Sequence, residues 1–263
     1  MEVILLLNEL PVWQLLVLMV GFALFFSVGL QLSFRRWLGT ETLSLNNEVA
    51  GFKFAVVGVS YAVLLAFVMV VVWEDFRATE ASVRKEAEAL RDLHQISFAM
   101  PDESNAQIRS DVFDYAEIVR SEEWRSMEEG RGSRAAEHAL FRLTQLITNV
   151  EPVTLQQQAL YSRALELMDI IADSRSERID GSQGTIPPVL WVALVIGGLI
   201  TLSYTSFFAA PNAIAQVLMT AGLAVTVALI FSVSLALNYP FTGQLHISSG
   251  PIDAVVNEIT RGQ

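Results

Sequence analysis

Residues 54–73 read FAVVGVSYAVLLAFVMVVVW, twenty residues without a single charge or histidine. Roughly 20 helical residues cross a hydrocarbon core about 30 Å thick, so this stretch is long enough to span a bilayer. Three other runs have the same character: Val12–Phe34, Ile186 to Ala210, and Ala213 to about Leu237. Backbone groups in lipid must bond within their own segment, so uncharged runs of this length with no alternating polar face read as helices. The whole chain agrees. It is 52% hydrophobic and 17% charged, where a soluble domain carries about a quarter charged residues. Between Asp180 and Asp253 there is no Asp, Glu, Lys or Arg.

Local signals set the ends of these runs. Pro187 and Pro188 suit a first helical turn, where an N–H has no intrahelical partner. Pro211-Asn212 predicts a tight turn, so the last two spans form a hairpin. Trp13, Trp37, Trp73, Trp191 and Tyr239 lie near span ends, as an interfacial aromatic belt requires.

The segment Glu74 to Thr185 reads as helical throughout. No Gly or Pro interrupts Glu74–Ser97, so the second span is expected to leave the membrane as one long helix, broken at Met100-Pro101-Asp102. Apolar stripes at helical spacing follow: Ile108, Val112, Tyr115, Ile118 and Val119; then Ala136, Ala139, Leu140, Leu143, Leu146 and Ile147; then Leu160, Ala164, Leu167, Met168 and Ile171. The expected fold is an all-α integral membrane protein with four transmembrane helices and a helical extramembrane bundle inserted between helices 2 and 3. The expected division is 1–73 for transmembrane helices 1 and 2, 74–185 for the bundle, 186–238 for the transmembrane hairpin, and 239–263 for a C-terminal tail.

Charge bounds the function. With no cysteine, disulfides and thiolate chemistry are excluded. A net charge of −11 argues against nucleic acid, whose phosphates need a basic surface. Most of it is local: Glu74–Asp180 holds 22 acidic and 13 basic residues. Arg35, Arg36 and Lys53 flank one side of the spans. Arg77, Arg84, Lys85, Arg91, Arg175 and Arg178 flank the other, and this excess places the termini and the bundle in the cytoplasm. The N-terminus lacks a basic n-region and a small-residue cleavage site, so no signal peptide is read there.

No catalytic or metal-binding pattern stands out, and no cofactor is expected. His94, His138 and His246 lack ligand spacing, and the pairs Glu122-Glu123 and Glu128-Glu129 read as solvated helix ends. The absence of a titratable group inside the spans argues against a proton-coupled transporter.

The second span carries two stripes. Gly58, Ala62 and Ala66 recur at i, i+4, i+8 and let another helix approach closely. Val59, Val63 and Phe67 recur beside them. On spacing alone, this stripe can face lipid or protein, or it can ring an axis as a dewetting constriction.

Two pieces of the chain resemble bestrophins. In the second span, VLLAF (63–67) is followed by the aromatic-acidic cluster WEDFRA (73–78). After the last span, LNYPFTGQLHISSGPI (237–252) has a Pro-Phe, a nearby Gly and a later Pro, centred on Pro240, Phe241 and Gly243. NNEVAGFKFAVVGVSYAVLLAFV, RSERI, IPPVLW and NYPFTG give the whole chain the look of the bestrophin-like bacterial membrane proteins, a domain-of-unknown-function group. The resemblance implies a homo-oligomeric ion channel, a pentamer with one axial pore, in a bacterial inner membrane. It places Val59, Val63 and Phe67 at the pore neck and implies a permeant anion or monovalent cation, with anions favoured in the family. It also implies that the tail packs against the helix continuing from Glu74. The chain departs from the family in three ways. Phe67 is followed by VMVVV rather than a cation, the tail has only Asp253 and Glu258 where a calcium clasp needs an acidic cluster, and the bundle is acidic. Anion selectivity is what these departures put in doubt. The competing reading is a non-conducting membrane scaffold or sensor whose acidic bundle binds a partner; the lack of any charge in the second span favours it.

Overall fold

A computed structural model of the chain describes residues 11–262, and among them there is helix and no strand. Residues 1–10, where the absence of a leader is expected, lie outside the described residues. The chain divides into two compact units. One takes the described residues through Glu74, Thr185–Asn238 and Gly243–Leu245; the other takes Asp75–Gly184, Tyr239–Thr242 and the residues from His246 onward.

The first unit contains four helices long and apolar enough to cross a membrane: Val12–Leu38, the first half of Asn47–Ser97, Pro188–Tyr204 with a 3-10 turn Thr205–Phe207, and Ala213–Leu237. Each boundary has a local cause. Gly39 ends the first helix at φ +78°, a conformation cheap only for glycine. Pro188 opens the third in its first turn, behind Pro187. Asn212 caps the fourth, its side-chain oxygen accepting the N–H groups of Ile214 and Ala215. The expected third span, Ile186 to Ala210, is thus shorter than predicted, because Phe208 turns extended and starts the hairpin corner.

Polar side chains tie that corner down. The Arg35 guanidinium donates to the Ala210 carbonyl at 3.0 Å and to Gln216 Oε1 at 2.7 Å. Asn47 donates to the Ala209 carbonyl at 2.8 Å and accepts the Ala209 N–H at 3.1 Å. In the span interiors small residues set the contacts. Ala23, Leu202, Ala224 and Ala228 form a buried cluster, as expected where helices associate by close packing in lipid. The Tyr61 ring lies flush on Gly197 and Gly198, where any added Cβ would sit 2.9 Å from it.

The second unit is a helical bundle of residues 75–97 of the long helix, Asp102–Ile118, Arg134–Thr148, Leu155–Ser182 and Gly250–Gly262. The long helix, Asn47–Ser97, is 51 residues without a break, about 76 Å at 1.5 Å per residue. The predicted stripes are its core: Ile108, Val112, Tyr115, Leu143, Ile147, Leu167 and Ile171 are all at most 1% exposed. Ser133 caps one helix, and Thr154 with Gln157 forms a capping box on the next. The last helix was not anticipated, although Ile252, Val255, Val256 and Ile259 follow the i, i+3, i+4, i+7 pattern and all four are buried in the same core.

After Ile118 the helix widens into a π-turn, Val119–Glu123, before Trp124–Met127. Buried Tyr115, Val119, Glu123 and Met127 are spaced by four residues each time. An α-helix of 3.6 residues per turn would carry that series off the core face; the wider i→i+5 turn keeps it there.

Candidate functional site

The second span is built in layers around its own axis. Tyr61, Leu65, Val68 and Val72 are buried against their own chain, at 1–6% exposed. At about 100° per residue, the side opposite that face is occupied by Val59, Val63 and Phe67. These three are 64%, 49% and 68% exposed, so the chain leaves this stripe uncovered. The small stripe lies between the two. Gly58 is half-buried and Ala62 and Ala66 are exposed. A groove of about 790 Å³ opens beside it, with Leu223, Val227 and Ile230 of helix Ala213–Leu237 on its far wall. No charged side chain lines the groove.

The tail motif is placed in the second unit, apart from Gly243, which takes φ +70°. Phe241 is 5% exposed and meets the Trp124 ring edge-on at 5.4 Å. It clusters with Val83, Met127 and Ile247. Val83 belongs to the helix continuing from Glu74, so this packing is the one the resemblance implies. The Pro240 carbonyl accepts the Ile247 N–H at 2.7 Å, closing the turn. At the end of the last span, Asn238 Oδ1 accepts the Ile186 N–H at 3.1 Å.

Sequence reasoning missed one feature. Glu123, read as a solvated helix end, is 0% exposed, while Glu122 next to it faces solvent. The π-turn aims Glu123 inward, where it meets Arg175 at 2.6 Å and Arg178 at 2.8 Å. Arg178 is itself fully buried and also pairs with Glu86 at 2.7 Å. Tyr115 completes the group, donating its hydroxyl to Glu86 at 2.6 Å. Burial pushes the Glu123 carboxyl up, but the two guanidiniums outweigh it and hold it below the ordinary carboxylate range. Burial and the Glu86 carboxylate push the Tyr115 phenol well above its usual value. Burial alone would lower Arg178, and the carboxylates reverse this, so it stays charged. Part of the signal was available: Glu86 and Arg178 occupy inward slots of their own stripes with opposite charges, whereas Glu123 reaches the core only through the π-turn. Arg175 and Arg178 are thus held in this group and are not free membrane-flanking cations, and on the same side Arg84 and Arg91 pair with Glu80 and Glu258.

A family model described as a Bestrophin-like domain matches residues 20–252. No curated protein matches the sequence. Among solved structures, the crystal structure of a bacterial bestrophin homologue from Klebsiella pneumoniae obtained by Zn-SAD phasing superimposes with a TM-score of 0.68 at 15% identity, covering 92% of this chain and 96% of that chain. A point mutant of the Klebsiella pneumoniae homologue gives a TM-score of 0.70 at 13% identity, covering 94% and 96%. A mutant of a protein described only as a membrane protein gives 0.71 at 14%, covering 92% and 96%. At these identities the likeness concerns the fold: four long apolar helices, with a helical bundle inserted between the second and third.

Proposed function

The chain belongs to the bestrophin-like family, and from that premise we propose that it is a homo-oligomeric ion channel, a pentamer by family resemblance, whose axial pore is lined by the second span. Val59, Val63 and Phe67 form its hydrophobic neck, and Gly58, Ala62 and Ala66 pack the pore helices together. The observation that carries this reading is the exposed stripe on the side of the helix directly opposite its own packing face. Rings of such side chains gate by dewetting.

The permeant species is a monovalent ion. The bundle favours cations: Glu74–Asp180 holds 22 acidic against 13 basic residues, and the buried group of two Glu and two Arg cancels internally without reducing that excess. A cytoplasmic vestibule of this sign concentrates cations and repels anions. The proposed setting is a bacterial inner membrane, with the 74–185 bundle, the tail 239–263 and both termini in the cytoplasm. The Pro240, Phe241 and Gly243 turn holds the tail on the bundle. Among the described residues no group of side chains supports an enzymatic role.

Purified protein in liposomes should pass ions, and the reversal potential in asymmetric KCl should carry the sign of a cation conductance. An intact oligomer that passes nothing at any voltage or pH sinks the channel. The second reading, a non-conducting scaffold or sensor, is favoured by the purely apolar neck stripe. A stoichiometric soluble partner recovered with the silent oligomer would select it.

A further inference from the structure

The proposed ring uses only one face of the second span. Two flanks remain, each roughly a quarter-turn from the neck stripe. One carries Gly58, Ala62 and Ala66 and opens into the 790 Å³ groove. The other carries Val57, Leu64 and Val71, a ridge at seven-residue spacing that its own chain covers only in part. The groove is lined almost wholly by apolar side chains, and of its three hydroxyl-bearing residues, Tyr61, Thr201 and Thr226, the two threonines are bonded to their own helices. The Thr201 hydroxyl donates to the Gly197 carbonyl at 2.8 Å, and the Thr226 hydroxyl to the Gly222 carbonyl at 2.9 Å. An apolar ridge matches this lining.

The flanks also differ in charge just before the apolar run. At about 100° per residue, Glu48 falls on the groove flank and Lys53 on the ridge flank. Both are exposed, and among the described residues neither has an ion-pair partner.

Resting on the proposed ring, we infer that its subunits dock head-to-tail. The groove of each copy takes the Val57–Leu64–Val71 ridge of the next, and Lys53 of one copy faces Glu48 of its neighbour. A two-fold pairing of groove with groove would set Glu48 against Glu48 and leave Lys53 with nothing. A lipid chain in the groove would leave both charges unmatched. Only a heterologous contact closes a ring of more than two copies while turning every neck stripe to one axis.

The chain has no cysteine, so introduced thiols give an unambiguous readout. Full-length protein carrying Ala62→Cys and Leu64→Cys is reconstituted in phosphatidylcholine–phosphatidylglycerol vesicles and oxidised. The expected result is a ladder of disulfide-linked bands up to the complete ring, with each single variant remaining monomeric on a denaturing gel. A strong dimer band from Ala62→Cys alone overturns the inference, because it sets groove against groove. So does an intact oligomer of the double variant that gives no ladder. A second measurement needs no thiol: Glu48→Lys or Lys53→Glu should each lower oligomer recovery several-fold, and the two together should restore it. Failure of the double reversal to exceed either single also overturns the inference. Ion flux on the same vesicles separates the two readings. A ladder without flux supports this docking while removing the channel; flux without a ladder removes the docking while leaving the channel.

Discussion

The second span and the helical bundle are inside-out relative to each other. In the span, apolar side chains such as Phe67 and Val59 face outward, while Tyr61, Leu65, Val68 and Val72 pack against their own chain, the tyrosine on two glycines. In the bundle the apolar stripes are buried, yet two carboxylates and two guanidiniums lie among them. Each arrangement follows from its solvent. In lipid an exposed phenylalanine costs nothing, and packing gains come from close approach. In water apolar burial is the main gain, and a buried charge survives only when fully paired. An exposed apolar stripe in the span therefore does not mark instability, whereas a single unpaired charge in the bundle would.

The comparison is broken most severely by Arg178→Met. It leaves Glu86 and Glu123 buried with one cation fewer, and the bundle should lose about 3–5 kcal/mol, read as a large drop in thermal stability and in recovered monodisperse protein. Replacing the whole group with apolar residues of matching volume should instead be tolerated. Gly181→Ala comes next: its Cβ would collide with the Thr79 side chain, and overpacking of this kind costs about 1–3 kcal/mol in the same unfolding measurement.

Acid should expose the network more gently. Because Glu123 titrates lower when folded than when unfolded, the unfolded chain binds more protons as pH falls, and stability declines with it. The contribution is complete above the ordinary carboxylate range and disappears as pH drops through the depressed folded value. Thermal unfolding followed downward from neutral pH should show this slope, and Glu123→Gln should flatten it. The smallest effect on stability belongs to Phe67→Ala, within about 0.5 kcal/mol because the side chain is not packed within the chain. The same substitution should produce the largest change in ion flux. A large stability loss without a flux change would mean the stripe is structural.

Much of this was legible in the sequence. Four uncharged runs, the Pro187-Pro188 start and the Pro211-Asn212 corner prescribe the membrane helices, because lipid leaves the backbone few options. The bundle stripes were readable for the same reason that soluble helices usually are. Glu123 was misjudged because a π-turn cannot be seen in composition: one residue of extra winding moves a charge from the surface to the core. The helix Gly250–Gly262 carries a stripe of only four apolar residues, Ile252, Val255, Val256 and Ile259, directly after a Pro- and Gly-rich turn that reads as loop. The candidate neck is a different case. Spacing and resemblance single out Val59, Val63 and Phe67, and their own chain leaves all three exposed.

The seat of Tyr61 on Gly197 and Gly198 has a consequence for the opposite side of its helix. A flat ring held against two residues without side chains works as a key in a slot, fixing the phase angle of the helix about its own axis. The bearing of Phe67, six residues and about 1.7 turns further along the helix, is therefore set from behind. A side chain added at Gly197 would press on that ring and should turn the Val59, Val63 and Phe67 stripe without altering any of its residues.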